Sequence, residues 1–288
     1  MTRAIVVTGC DANHFELATD LLTSLRDQCG RDLTIGFIHV GDDPLPAEIA
    51  DMADHVVNVP DSTFPADQMR GFRLAYLMVK PRIPKFFPGY DMYVWLDGDT
   101  WVQNAVGLEQ VVRAAGYADI SMHPERDPSY DSEDRPRGYL YQVYESLYGT
   151  EQAQYYSNHA SFNAGVFGAR SDSPVWALWE QALAEIRDRT AGQPGTLFSD
   201  QIPIHRLVVS GRVSVMPLRA VNNWLTTLRI PAISRERRRL LVPTYPFEEI
   251  NIVHLIGATK DATYHLGEGG ESVTLRYRDM RSLVHPAR

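Results

Sequence analysis

Tyr93-Val94-Trp95-Leu96-Asp97-Gly98-Asp99-Thr100-Trp101-Val102 is the stretch on which the reading of this chain turns, because an apolar run ends in two carboxylates separated by one glycine. In an extended segment side chains two apart point the same way, so Asp97 and Asp99 would close on one hard cation. Gly98 would let a bulky anionic ligand approach the backbone. Two carboxylates at the mouth of a buried strand repel each other unless a metal or another positive charge offsets them. The leading reading is a divalent ion carrying a diphosphate. The alternative is a β-turn whose aspartates only solvate and cap.

Upstream, Ala4-Ile5-Val6-Val7-Thr8 is a short apolar run of the kind buried on both faces of a sheet. Leu17, Leu21, Leu22 and Leu25 then recur at helical spacing between Phe15 and Leu25. Leu33 to Val40 reads as a second strand, Glu48 to Ala53 as a helix and Val56 to Val59 as a third strand. This alternation predicts an α/β fold with a mostly parallel central sheet and flanking helices, its ligands at the carboxyl ends of the strands. A helix over Met69–Val79 should stop at Lys80-Pro81. The aspartate-bearing strand comes fourth, and places its carboxylates at the ligand-facing end.

Downstream, Pro124 to Tyr156 is charged and holds seven of the chain's fourteen tyrosines, which suggests a lid or acceptor surface over 124–160. Tyr141, Tyr144 and Tyr148 stand at helical spacing and fit core packing equally well. Ser161 to Gly168 is a strand with small residues in its middle, and Leu197 to Ile202 opens a helix capped by Ser199 or Asp200. Val213 to Met216 is a further strand, followed by Asn222, Asn223 and Trp224 near where acceptor contacts would fall. Ile252-Val253-His254 is a strand that runs into Gly257 and Lys260.

The composition is that of an ordinary globular protein of 288 residues, with 44% hydrophobic and 22% charged side chains. Its net charge of -8 argues against a general nucleic-acid binder. Cys10 and Cys29 make neither a disulfide framework nor a zinc set, and no window reaches the length of a membrane span. A cytoplasmic protein is expected. Two basic stretches, Arg235 to Arg239 and the Arg276, Arg278, Arg281, Arg288 tail, are solvated faces or peripheral contacts with an anionic membrane.

Two aspartates leave a cation under-coordinated, and His254, at the end of an apolar strand, is a candidate third ligand. Oxygen ligands with one imidazole favour Mn²⁺, with Mg²⁺ as a substitute. Gly257 permits close backbone approach to phosphate, and Lys260 can neutralise a diphosphate oxygen. Thr8 to His14 is a polar turn after the first strand, a place to hold a base and ribose. There Asp11 can accept from an imide N–H or a ribose hydroxyl, and Asn13 can cap the next helix or reach the ligand. Neither a dinucleotide-binding glycine fingerprint nor a P-loop is present.

In this order the landmarks resemble the GT-A nucleotide-sugar-dependent glycosyltransferases, most closely glycosyltransferase family 8. The resemblance runs from Ile5 to Lys260 through Leu96-Asp97-Gly98-Asp99, Phe162-Asn163-Ala164-Gly165-Val166, Asp200-Gln201 and His254-x-x-Gly257-x-x-Lys260. It implies a GT-A catalytic domain over 1–265 with a C-terminal extension over 266–288. It also implies Asp97, Asp99 and His254 as metal ligands and Asp11 as the base-binding residue. Lys80 falls where an arginine usually contacts the donor, with Arg82 or Arg73 as substitutes. Asn163, Ala164 and Gly165 would line the donor sugar and Asp200 would bind its hydroxyls. Gln201 would lie beneath the anomeric carbon.

The implied activity is metal-dependent transfer of a sugar, with retention, from a UDP-linked donor to a glycan, lipid-linked sugar, protein or small-molecule hydroxyl. Asp200 or Gln201 would stabilise the cationic transition state, or Asp200 would act as nucleophile, while Lys260 stabilises the leaving diphosphate. A sugar-nucleotide nucleotidyltransferase and a non-catalytic nucleotide-sugar-binding protein are the alternatives, and a homo-oligomer is left open. The chain departs from the family pattern at Asp261-Ala262, where Pro-Trp is usual, and at His14, which replaces an aromatic residue.

Overall fold

The computed structural model describes residues 2–60, 78–130, 135–190, 200–265 and 272–285. Strand β1 (Ala4–Cys10), helix α1 (Phe15–Cys29), strand β2 (Ile35–Val40), helix α2 (Ala47–Met52) and strand β3 (His55–Val59) follow the alternation expected of them. The three strands pair in parallel, β1 with β2 and β2 with β3. Of the helix expected over Met69–Val79, only Met78 and Val79 are described. The chain keeps its helical sense at Lys80-Pro81, tightening into a 3-10 turn over Lys80–Arg82 that leads into α3 (Ile83–Phe86). Pro81 is tolerated because it occupies the first turn, where no N–H is required.

Strand β4 (Met92–Leu96) returns to the other side of β1 and pairs with it in parallel, so the order of the seven-stranded sheet reads β3-β2-β1-β4 before it continues. Helix α4 (Val106–Ala115) and strand β6 (Ile120–Pro124) follow, and strand β7 (Phe162–Arg170) lies antiparallel between β4 and β6. Strand β8 (Val215–Pro217) completes the edge. The strand order reverses at β1 and β4, which opens a crevice beyond their carboxyl ends. Asp11 and Asp97 leave the sheet there, side by side.

The aspartates themselves lie outside any strand. β4 stops at Leu96, and strand β5 (Thr100–Val102) belongs to a second sheet in which β12 (Ile252–His254) lies between β5 and β9 (Trp224–Leu225), while β10 (Ala232–Ser234) and β11 (Arg239–Leu241) form a separate antiparallel pair. Between β4 and β5, Asp97 to Thr100 is a tight turn in which the Thr100 amide donates to the Asp97 carbonyl at 2.9 Å and its hydroxyl does so at 2.8 Å. The extended geometry expected of Asp97-Gly98-Asp99 is therefore replaced by a turn, because the chain changes sheets at this point. The bare face of Gly98 looks toward Cys10 and Ala18 in the core.

Apolar side chains fill both faces of the main sheet. Leu21, Leu22 and Leu25 of α1 cover one face, and Trp179 and Leu183 of α7 (Val175–Thr190) cover the other. Helices α5 (Arg135–Tyr148), α6 (Thr150–Tyr156) and α8 (Gln201–Val209) pack on that second side. The tyrosines at helical spacing serve the core: Tyr144 stacks on Tyr156 at 4.9 Å, and its hydroxyl lies 2.7 Å from Nδ1 of His205. Tyr148 lies under the guanidiniums of Arg189 and Arg206.

Most arginines of the two basic stretches have partners within the molecule. Helix α9 (Tyr277–Val284) docks on α1, with Arg276 on Glu16 and Asp20 at 3.0 Å and Arg281 on Asp27 at 2.7 Å. Arg238 and Arg239 donate to the carbonyls of Ser282, Leu283 and Val284, where a helix carboxyl end favours positive charge. Arg238, Arg239, Arg276, Arg278 and Arg281 thus have partners within the fold. Arg288 lies outside the described residues. No described helix is long and apolar enough to cross a membrane.

Asp20 and Arg276 are nearly buried, with side-chain exposures of 8% and 12%. Arg276→Met should leave Asp20 with Arg278 as its remaining partner and destabilise the fold by about 2 kcal/mol, read as a lower urea midpoint. Burial of His205 holds its pKa down at about 4, below the ordinary 6.5. The unfolded chain thus binds the extra proton first, and the stability due to neutral His205 is complete above pH 6.5. It is lost as pH falls toward 4, by up to about 3 kcal/mol. A plot of urea midpoint against pH should be flatter over that window in His205→Gln.

Candidate active site at the seam of two sheets

Asp99 owes its neighbours to strand register. Strand β12 (Ile252–His254) runs antiparallel to β5, with His254 opposite Thr100, and the Leu255 amide donates to the Asp99 carbonyl at 2.9 Å. That pairing brings Nε2 of His254 to 3.2 Å from one Asp99 oxygen. Lys260, on the 3-10 turn Gly257–Lys260, reaches the other oxygen at 2.8 Å. Gly257 starts that turn at φ +57°, a conformation that favours glycine. One ligand atom from each of Asp97, Asp99 and His254 lies within 4.8 Å of the others. Burial opposes ionisation of Asp99, yet the groups that contact it outweigh burial and hold its carboxyl well below the usual carboxylate range.

Beneath this group lies Lys80, 2% exposed. Its ammonium contacts Asp200 at 2.6 Å, Asp97 at 2.9 Å and the carbonyl of Ala164 at 3.1 Å. Burial works against the charge, but Asp200 and Asp97 overcome it and raise the lysine pKa above its ordinary value. Lys80 thus spends its donors on the floor of the site, which leaves it badly placed to contact a donor as an arginine would. Arg82 pairs with Glu180 at 2.7 Å, and Arg73 lies outside the described residues. Asp200 occupies the N-cap position of α8 without capping it, because its carboxylate turns to Lys80. Ser199, the other cap considered, is not among the described residues.

An unbroken chain of amides links the metal-ligand group to the rest. The Gly165 amide donates to Oδ1 of Asn163 at 2.9 Å, and so does Nδ2 of Asn223. Oδ1 of Asn223 faces Nδ1 of His254 at 2.9 Å. On the far side Nδ2 of Asn163 donates to Glu125 at 3.2 Å, and Nε2 of Gln201 donates to the same oxygen at 3.0 Å. Ala164 points its methyl into the core while its carbonyl serves Lys80. Gly165 leaves no room for a side chain, since a Cβ there would stand 2.1 Å from Cε1 of His254.

At the end of β1, Thr8 is fully buried and its hydroxyl has no partner. Asp11 caps the turn Ala12–His14, accepting from the Asn13 amide at 3.0 Å, with Nδ1 of His14 at 3.1 Å from the same oxygen. The capping role considered for Asn13 belongs to Asp11. Asn222 and Asn223, read from sequence as near an acceptor, are buried: Asn222 bonds Gln110 and Asn251, while Asn223 joins the amide chain. Sequence reading missed Glu125 and this role of Asn223. The signal available was a pair of amides directly before a buried tryptophan.

Four carboxylates, of Asp97, Asp99, Asp200 and Glu125, face two ammonium groups, of Lys80 and Lys260, across this small space. Two carboxylates and an imidazole, converging where negative charge is in surplus, suit a divalent cation that accepts oxygen and nitrogen. Gly165→Ala should push the His254 ring out of register and weaken Mn²⁺ binding at least tenfold by calorimetry, with the far-ultraviolet circular dichroism unchanged.

No family model matches the chain, and no curated protein matches it. Solved structures do. The galactosyltransferase LgtC in complex with donor and acceptor sugar analogues is 12% identical at a TM-score of 0.59, with 97% of this chain and 94% of that chain covered. An active-site mutant of LgtC gives 13% and 0.57, with 88% and 87% covered. Mouse xyloside xylosyltransferase 1, in its apo form, gives 13% and 0.55, with 90% and 99% covered. At these identities the likeness is one of fold, and it extends over nearly the whole of each molecule: the chain has the GT-A fold of these glycosyltransferases.

Proposed function

We propose that this chain is a metal-dependent glycosyltransferase that moves a sugar from a nucleoside-diphosphate donor, UDP-linked by preference, to an acceptor hydroxyl with retention of configuration. The observation that carries the reading is the convergence of Asp97, Asp99 and His254 beside Lys260, at the reversal of strand order in a GT-A sheet. These three residues would hold Mn²⁺ or Mg²⁺. When bound, such an ion supplies Lewis-acid stabilisation of charge on a diphosphate leaving group.

The chain's own groups account for the rest. Lys260, a quarter exposed and resting on Asp99, is free to exchange that carboxylate for a phosphate oxygen. Asp11, at the neighbouring strand end, offers a carboxylate to a base imide or ribose hydroxyl once His14 turns aside. Gln201, whose Nε2 is held by Glu125 and Ser161, would stabilise positive charge at the anomeric carbon with its carboxamide oxygen. Asp200, locked to buried Lys80, acts as a fixed negative charge beneath that carbon rather than as the attacking nucleophile. The leaving phosphate is the base for the acceptor proton.

A nucleotidyltransferase would need a basic, glycine-rich loop after the first strand, and the loop here carries Asp11 instead. Incubation with a panel of nucleotide sugars and Mn²⁺ should give slow donor hydrolysis that chelation stops and Asp99→Asn lowers by at least a hundredfold. Equal hydrolysis with and without metal would overturn the proposal. Tight UDP binding without turnover of any donor would favour a binding protein.

A further inference from the structure

We infer that Asn223 is a positioning residue that fixes His254 in the tautomer able to ligate a metal through Nε2. The inference rests on the metal-site reading above and adds to it a residue outside the ligand set.

The argument begins at a backbone group whose polarity is not in doubt. The N–H of Gly165 can only donate, so the Asn163 atom 2.9 Å away is its carbonyl oxygen, Oδ1. That oxygen also lies 2.9 Å from the Asn223 side chain, which must therefore present its NH₂ group. The other terminus of the Asn163 amide confirms the order, because its NH₂ meets the carboxylate of Glu125, an acceptor. With Nδ2 of Asn223 directed at Asn163, its Oδ1 is left facing Nδ1 of His254 at 2.9 Å. An amide oxygen only accepts, so Nδ1 carries a hydrogen. In the neutral ring the lone pair then resides on Nε2, the atom 3.2 Å from Asp99.

A lone pair aimed at a carboxylate is repulsive unless a cation stands between them, and that cation would be the one shared with Asp97. Asn223 is fully buried and cannot be replaced by water in this role. A carboxamide is the side chain that can accept from the imidazole with one end while donating to Asn163 with the other. The same residue therefore ties the orientation of the metal ligand to that of Asn163 and, through Glu125, to Gln201.

The experiment uses the full-length protein and Mn²⁺ alone, followed by calorimetry, with two-dimensional nitrogen-15 spectra of the histidines. Asn223→Leu should weaken Mn²⁺ binding ten- to a hundredfold. In the parent protein with a diamagnetic ion, Mg²⁺, the His254 signals should show hydrogen on Nδ1; this needs no variant and holds even if Asn223→Leu folds poorly. Hydrogen on Nε2, or undiminished Mn²⁺ binding by a folded Asn223→Leu, overturns the inference. If His254→Ala binds Mn²⁺ weakly while Asn223→Leu binds normally, the metal reading survives and only the role of Asn223 falls. If neither variant alters Mn²⁺ binding, both fall.

Discussion

The candidate site depends on one buried ammonium. Lys80 sits between Asp97 and Asp200 with almost no exposure, and a lone charge in that position would cost several kcal/mol. Each carboxylate is likewise costly without the lysine, so the arrangement is stable only when all three are present. The three residues come from separate parts of the chain: the turn before α3, the turn after β4 and the first residue before α8. Pairing them joins the metal-bearing turn to the helix that carries Gln201, and the Ala164 carbonyl adds β7 to the same point. The positions of Asp97, Asp200 and the start of α8 are fixed together by this contact.

The two lysines divide the work by depth. Lys80 is enclosed and permanently paired, so its charge shapes the site. Lys260 lies at the rim on a short turn that begins at a left-handed glycine, and its partner Asp99 is shared with His254. Its ammonium is the more exposed of the two. The surplus of carboxylates favours a cation at this point and disfavours an anion alone.

Much of the fold was legible because its signals are local. The runs around Val6, Phe37 and Val94 are apolar on both faces, and the leucines of α1 keep helical spacing, so the parallel half of the sheet followed from pattern alone. The break between β4 and β5 was not legible, because Thr100-Trp101-Val102 has the same character as Tyr93-Val94-Trp95 and nothing in composition marks a change of sheet. The identity of Asp97, Asp99, His254 and Lys260 as one group came from spacing and resemblance. The use of Lys80 did not, since a lysine before a proline reads the same on a surface as under a carboxylate pair. The partners of the arginines in the two basic stretches were hidden for a related reason: they lie on α1 and at the end of α9, distant in sequence, and charge patterning sees only neighbours.

The seam between the two sheets explains why the site can exist at all. β4 delivers Asp97 from the main sheet, and β5 and β12 deliver Asp99 and His254 from the small one, so the cation site lies where the sheets meet. Registers on both sides are pinned by burial: Val253 and Trp101 pack with Trp224 on one side, and Val94 and Val166 pack with α1 on the other. A slip of one residue in the β5–β12 pairing would turn His254 to the opposite face and place an apolar side chain against the carboxylates. The absence of a side chain at Gly165 is the matching requirement from the main sheet, because the His254 ring occupies the space a Cβ would need. The geometry of Asp97, Asp99 and His254 is therefore a consequence of how the two sheets dock, and any change that shifts one sheet against the other alters that group first.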